Sequence, residues 1–136
     1  MSWTPEALHH LWRAHELEIA TPARDGVLRP FVPIWLVVVD DRLYVRTWYR
    51  RDTGWYGRAL RSGRARVRVP GVEADVDVTD LGADDPALRG QVDAAYLTAY
   101  GSHGAGSAAA MVADEAAGTT LRLDPAAGSE GTRLTY

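Results

Sequence analysis

The sequence predicts a mainly β domain with helices (α+β), built as a small closed or half-open β-barrel. Three observations point to it. About six short segments of alternating apolar and polar residues follow one another closely, several of them as hairpins. The long helical patterns come late and not between the strands, which fits a doubly wound parallel sheet poorly. A length of 136 residues, 46% apolar and 24% charged, suits one globular domain with a single core.

Each element has a local cause. Thr4 is placed as an N-cap with Pro5 at the first helical position, and Leu8, Leu11, Trp12 and His15 recur at helical spacing. An amphipathic helix therefore opens the chain. Residues 17–21 alternate and form a first strand. Residues 22–33, with Asp25-Gly26 and three prolines, are a turn region. Residues 34–39 are the most apolar run and read as one strand buried on both faces. Asp40-Asp41 turns the chain, and residues 43–47 return with Leu43, Val45 and Thr47 on one face. After a polar, aromatic loop, residues 55–62 form a short helix ended by Gly63.

The next segment can be read in register. Ala65, Val67 and Val69 alternate with Arg64, Arg66 and Arg68; Pro70-Gly71 turns; Val72, Ala74 and Val76 alternate with Glu73, Asp75 and Asp77. Placing Val69 opposite Val72 sets Arg68 against Glu73, Arg66 against Asp75 and Arg64 against Asp77. One face is apolar and the other is a ladder of opposite charges. Asp85-Pro86 then starts a helix that runs to Gly101, an Ala-rich helix spans 107–117, and residues 119–124 make a last strand. Residues 132–136 are at best a short further strand. The chain is one domain: a helix over 1–16, barrel strands over 17–80, helices over 85–118, and a final strand and tail over 119–136.

Composition excludes several chemistries. There is no Cys, hence no disulfide and no thiolate nucleophile, and all 15 basic residues are Arg, so no Lys is present for a Schiff base or a P-loop. No apolar run is long enough to span a membrane, and the first residues lack the basic and apolar regions of a secretory signal, so the expected location is cytoplasmic. His9, His10 and His15 contain no i, i+4 pair, which argues against a metal site. Ser102-His103 lacks a nucleophile-elbow context.

Charge is uneven. Residues 42–68 hold nine Arg and one acid, and residues 73–93 hold seven acids and one base. The ladder accounts for three of those Arg. Arg46, Arg50, Arg51, Arg58 and Arg61 remain without evident partners, interleaved with Trp48, Tyr49, Trp55 and Tyr56. Guanidinium forks match phosphate oxygens and aromatic walls sandwich a planar ring, so this stretch suits a planar ligand with an anionic tail. A solvated aromatic loop or a subunit interface rich in Trp, Tyr and Arg fits the same composition.

Several strings, taken in order, carry a resemblance. Glu18-Ile19-Ala20-Thr21 with Asp25-Gly26, Pro33-Ile34-Trp35 with Val37-Val38-Val39-Asp40, Leu43-Tyr44-Val45-Arg46-Thr47, Trp55-Tyr56 and the strand at 64–69 resemble the flavin-binding split barrel. That superfamily includes pyridoxamine-phosphate-oxidase-like proteins and deazaflavin-dependent nitroreductases. With Asp93-Ala94-Ala95-Tyr96, Tyr100-Gly101, Met111 and Thr119-Thr120-Leu121-Arg122-Leu123-Asp124-Pro125 added, the string resembles an uncharacterised bacterial domain-of-unknown-function family of small split barrels. It covers residues 17–125.

The resemblance implies a six-stranded split β-barrel, FMN-binding-like, with N-terminal and C-terminal helices. It further implies a homodimer that holds FMN or a deazaflavin at the subunit interface and acts on a small-molecule substrate as an oxidoreductase. The strand at 34–39 would lie along the ring, Arg46 and Thr47 would contact the ribityl phosphate, and Arg50 and Arg51 would clamp it, with Arg58 nearby. Trp35, Trp48, Trp55 and Tyr56 would wall the ring. The superfamily often has Lys among the phosphate contacts, and this chain has none. Tyr49, Tyr56, Tyr96, Tyr100 and His103 are the available proton donors, and Tyr56, Tyr100 and His103 are carried as catalytic candidates. Tyr96 and Tyr100 share one helix face, where core packing is the competing role. The alternative function is a cofactor-free barrel that binds a small ligand, or rearranges or cyclises one, in the same cavity. Single-stranded nucleic-acid binding is disfavoured by the acidic total and the self-neutralised ladder.

Overall fold

The computed structural model describes residues 2–47, 54–100 and 105–126, with 105–108 described by backbone alone. Helix α1 (Pro5–Arg13) begins as its sequence dictates: the Thr4 hydroxyl accepts the Ala7 N–H at 3.1 Å, and Pro5 follows the cap. Its buried residues, Ala7 and Leu11, join Trp3 in the barrel core, and the Trp3 indole N–H donates to the Leu123 carbonyl at 2.9 Å. The helix thus plugs one end of the barrel.

Seven antiparallel strands follow: β1 (Glu16–Ala20), β2 (Val32–Trp35), β3 (Val37–Val39), β4 (Arg42–Val45), β5 (Arg64–Val69), β6 (Val72–Asp80) and β7 (Leu121–Pro125). Their order in the sheet is β2-β1-β5-β6-β7-β4-β3. The curled sheet is a nearly closed barrel, a split-barrel α+β fold.

The expected single strand over 34–39 is two strands, which is why the count is seven and not six. β2 pairs with β1 at one edge of the sheet and β3 pairs with β4 at the other, so Leu36 is where the chain steps across the seam. Apolar residues on both faces have a physical reason. Ile34, Leu36 and Val38 pack on the barrel core, whereas Trp35, Val37 and Val39 pack on a second apolar cluster outside it.

Between β3 and β4, Asp40 and Asp41 both take positive φ, 50° and 63°, as the two-residue turn of a tight hairpin requires. The β5–β6 hairpin has the register read from its sequence, Val69 with Val72 through Arg64 with Asp77. Its side chains pair more widely than that register implies. Arg66 holds Asp75 at 2.8 Å, but Arg68 reaches to Glu18 on β1 at 2.9 Å, because β1 is the neighbour of β5 on the other side. Gly71, at φ +92°, ends the turn against α1; a Cβ there would lie 2.7 Å from the His10 ring.

Helix α2 (Gly54–Ser62) packs Tyr56 and Ala59 into the barrel core. Helix α3 (Pro86–Tyr100) is capped by the Asp85 carboxylate, which accepts from the N–H groups of Ala87 and Leu88. The expected Ala-rich helix is two, α4 (Ala105–Val112) and α5 (Asp114–Ala117). Arg89 holds the break, donating to the Val112 carbonyl at 3.3 Å and to Asp114 at 2.8 Å. The second cluster forms where Val92, Tyr96 and Tyr100 of α3 meet Val37, Tyr44 and Met111. Residues 132–136 lie outside the described residues. Among the described residues no helix is long and apolar enough to cross a membrane, and no group of acids and histidines could hold a metal ion.

Candidate functional site

An apolar cleft of about 390 Å³ lies where α1, β3 and α3 meet. Its floor is the chain at Leu36, Val37 and Val38; one wall is Ala94, Ala95, Thr98 and Ala99 of α3, and the other is Leu11, Trp12, Ala14 and His15. Small side chains on α3 are what keep it open: four residues of one helix face contribute no group larger than Thr. Trp12, expected in the buried stripe of α1, is instead 70% exposed at the rim. Among the described residues on these walls, His15 is the one ionisable side chain. The volume is that of a small-molecule site, and the lining is apolar with few polar groups, as such sites are.

The floor is fixed by Tyr100. At the seam, Leu36 has left one ladder and not yet joined the next. Its N–H donates to the Tyr100 hydroxyl at 3.0 Å, and that hydroxyl stands within donating distance of the carbonyls of Leu36 and His15. The Tyr100 ring stacks flat on Trp35, with centroids 4.1 Å apart and planes 5° apart. Burial pushes the Tyr100 hydroxyl up to about 12, against a weaker downward pull from its Leu36 bond. Tyr100 therefore holds backbone and stays protonated. It is a positioning residue for the cleft.

Arg46 departs from the expected phosphate grip. Its side chain is 0% exposed, and it bonds Asp93 at 2.6 Å, the Thr120 hydroxyl at 2.9 Å and the Met111 carbonyl at 2.9 Å. The guanidinium also lies 5.5 Å from the Tyr96 ring centroid. A fully enclosed cation committed to an acid on α3 reaches no surface ligand. Thr47 is likewise buried: its N–H donates to the Thr119 hydroxyl at 2.9 Å, and that hydroxyl stands within donating distance of the Thr47 and Ala116 carbonyls. These bonds tie the end of β4 to the start of β7.

Trp55 and Tyr56 meet edge to face at 5.8 Å at the start of α2, with Tyr56 buried and Trp55 half-buried. Arg58, also on α2, donates from Nε to the Thr21 hydroxyl at 2.9 Å. The expected residues thus divide. Trp35 and Tyr100 come together beneath the cleft floor, Arg46 and Thr47 sit inside the molecule, and Trp55, Tyr56 and Arg58 belong to α2. Trp48, Arg50, Arg51 and His103 lie outside the described residues, as does Tyr49. Trp12 and His15 at the rim, and Asp93 behind Arg46, belong to this region although neither composition nor motif order points to them. Asp93 carried a signal in the sequence, standing four residues after Arg89 on the one acidic-and-basic face of α3.

A family model described as "Uncharacterized protein conserved in bacteria (DUF2255)" matches residues 7–123. No curated protein matches the chain by sequence. Among solved structures, a FAD-binding protein from Mesorhizobium loti is similar at 19% identity and a TM-score of 0.59, over 89% of this chain and 88% of that one. A putative pyridoxamine 5'-phosphate oxidase from Listeria innocua is similar at 11% identity and a TM-score of 0.60, over 95% and 94%. A heme storage protein from Vibrio cholerae is similar at 16% identity and a TM-score of 0.63, over 98% and 95%. At these identities the likeness is one of fold.

Proposed function

We propose, from the premise that this chain belongs to the bacterial family DUF2255, that it is a split-barrel redox protein holding FMN or a deazaflavin and acting on a small organic molecule. One observation carries the reading: the apolar cleft along Leu36–Val38, kept open by the alanines of α3. A slot with a backbone floor and small-residue walls suits a flat ring system, and the exposed indole of Trp12 at its rim can lie against one. A flavin or deazaflavin in that place supplies hydride transfer.

The chain's own contributions are to exclude water from one side of the ring, to present the open edge of β3 beside it, and to offer His15 as an ionisable group at the rim. Tyr100 keeps the floor in register. Arg50 and Arg51 are proposed for the anionic tail, and Trp48 and Trp55 as aromatic neighbours; Tyr56, buried in the barrel core, is not part of this site. A homodimer with the ligand between its subunits is part of the same proposal.

The test is direct. Purified protein is titrated with FMN and, separately, with riboflavin and a deazaflavin, following absorbance and flavin fluorescence. Ala95→Leu, which fills the cleft, is expected to lose binding while keeping the wild-type melting temperature. Equal affinity in wild type and a folded Ala95→Leu variant overturns the assignment. A second reading, a barrel that binds a small ligand without a redox cofactor, is favoured by the enclosure of Arg46, which removes one expected phosphate contact. Absence of binding by all three ring systems selects it.

A further inference from the structure

We propose that the cavity between the turn at 81–85, α3 and β7 binds a small α-amino acid with an apolar side chain. The site does not depend on what the apolar cleft holds, since the two share no lining residue. The cavity measures about 350 Å³, within the range of small-molecule sites. Leu81, Leu88 and Val92 supply its apolar lining, which is continuous with the cluster around Tyr96 and Tyr100. Asp84 and Asp85 line it from the turn, Arg89 from α3 and Arg122 from β7. Charges of both signs thus face one apolar floor.

Hydrogen bonds fix the walls and leave particular atoms over. The Leu81 and Gly82 N–H groups both donate to the Thr120 carbonyl, at 3.0 and 3.2 Å, which ties the turn to β7. Asp85 accepts the Ala87 and Leu88 N–H groups on Oδ1, at 3.0 and 3.2 Å, so Oδ2 takes no part in the cap. Arg122 donates from Nε to Asp124 at 2.8 Å, a bond that orients the guanidinium plane and uses neither terminal nitrogen. Arg89 is more committed: Nε faces Asp93 at 3.4 Å, and Nη2 serves Asp114 and the Val112 carbonyl. Both arginines are half-buried, and their forks are placed before a ligand arrives.

Charge decides the ligand class. Arg89 is balanced by Asp93 and Asp114, and Arg122 by Asp124. Among the described residues, Asp84 and Asp85 have no arginine or histidine within 4 Å. An ammonium group therefore meets two carboxylates, and the terminal nitrogens of Arg122 offer a fork to a carboxylate. A simple anion would face Asp84 and Asp85 uncompensated, and a simple cation would leave the Arg122 fork unused. A molecule with both groups on one carbon, and an apolar side chain against Leu81, Leu88 and Val92, matches each part of the lining.

Calorimetric titration of the full chain with L-leucine, leucinamide and N-acetylleucine tests the proposal, in the wild type, Asp84→Asn and Arg122→Gln. Asp84 is exposed, so Asp84→Asn is expected to melt as the wild type does. Leucine is expected to bind the wild type saturably, and the two analogues, each lacking one charge, to bind roughly tenfold or more weakly. In Asp84→Asn the preference for leucine over N-acetylleucine is expected to shrink while that over leucinamide persists. Arg122→Gln is expected to show the converse, a crossed pattern that a loss of stability alone does not produce. If Arg122→Gln does not fold without its Asp124 bond, the Asp84→Asn pattern decides. Leucine that fails to bind the wild type, an analogue that binds as tightly as leucine, or preferences unchanged in the folded variants overturns the site.

Discussion

Tyr100 and Arg46 have opposite relations to the ligand site that composition suggested. Tyr100→Phe leaves the Leu36 N–H without its partner, and the expected loss is about 1–3 kcal/mol by urea unfolding. The same hydroxyl gives a pH signature. Below pH 10 it is protonated in both the folded and unfolded chain and contributes in full. Between pH 10 and about 12 the unfolded chain sheds the proton and the folded one does not, so stability falls as pH rises, by roughly 2–3 kcal/mol for this group. Tyr100→Phe is expected to show a shallower alkaline decline; an identical decline would assign it elsewhere. Asp93→Asn strands the enclosed Arg46 charge and is expected to cost about 3 kcal/mol, whereas Arg46→Met with Asp93→Leu recovers most of that loss. Sequence could not separate Arg46 from Arg50 or Arg51. Its acid lies 47 residues away on another element, and no local pattern reports such a partner.

Among the elements, those with a repeating local cause were legible and those set by closure were not. The β5–β6 register followed from strict alternation through Pro70-Gly71, since a slip of one residue would turn the arginines into the core. The break at Leu36 left no such trace: apolar residues continue through it, and only the curl of the whole sheet decides that Trp35 and Val37 join opposite edges. Trp12 fitted the helical stripe of α1 but falls on its margin, beyond the surface that the barrel end can cover. The β3–β4 turn offers a prediction at this scale. Asp40 and Asp41 hold left-handed backbone that Asn and Gly adopt more readily, so Asp40→Asn with Asp41→Gly is expected to stabilise by about 1 kcal/mol. A raised urea midpoint with an unchanged slope is the result that supports it.

At the scale of the molecule, two apolar clusters share one wall. The barrel core and the α3 cluster meet across residues 34–39, and the cleft is the part of that second layer left unfilled. Occupying it should tighten both. Under the proposed function, FMN at a hundred times its dissociation constant adds about 2.7 kcal/mol to folding and raises the melting temperature accordingly. A melting temperature unmoved by saturating FMN counts against binding to the folded state. The redox reading itself came from the order of short motifs and not from any one residue, and the cleft that now carries it is walled by alanines, a residue type that signals nothing in isolation.

The seam at Leu36 also has a bearing on biogenesis. Because the amide of residue 36 is gripped by a phenol 64 positions downstream, the barrel cannot lock while a ribosome has delivered only its first six strands. The Leu36 amide is consequently a built-in reporter of locking, and its deuterium uptake, followed residue by residue, should slow only once α3 has docked.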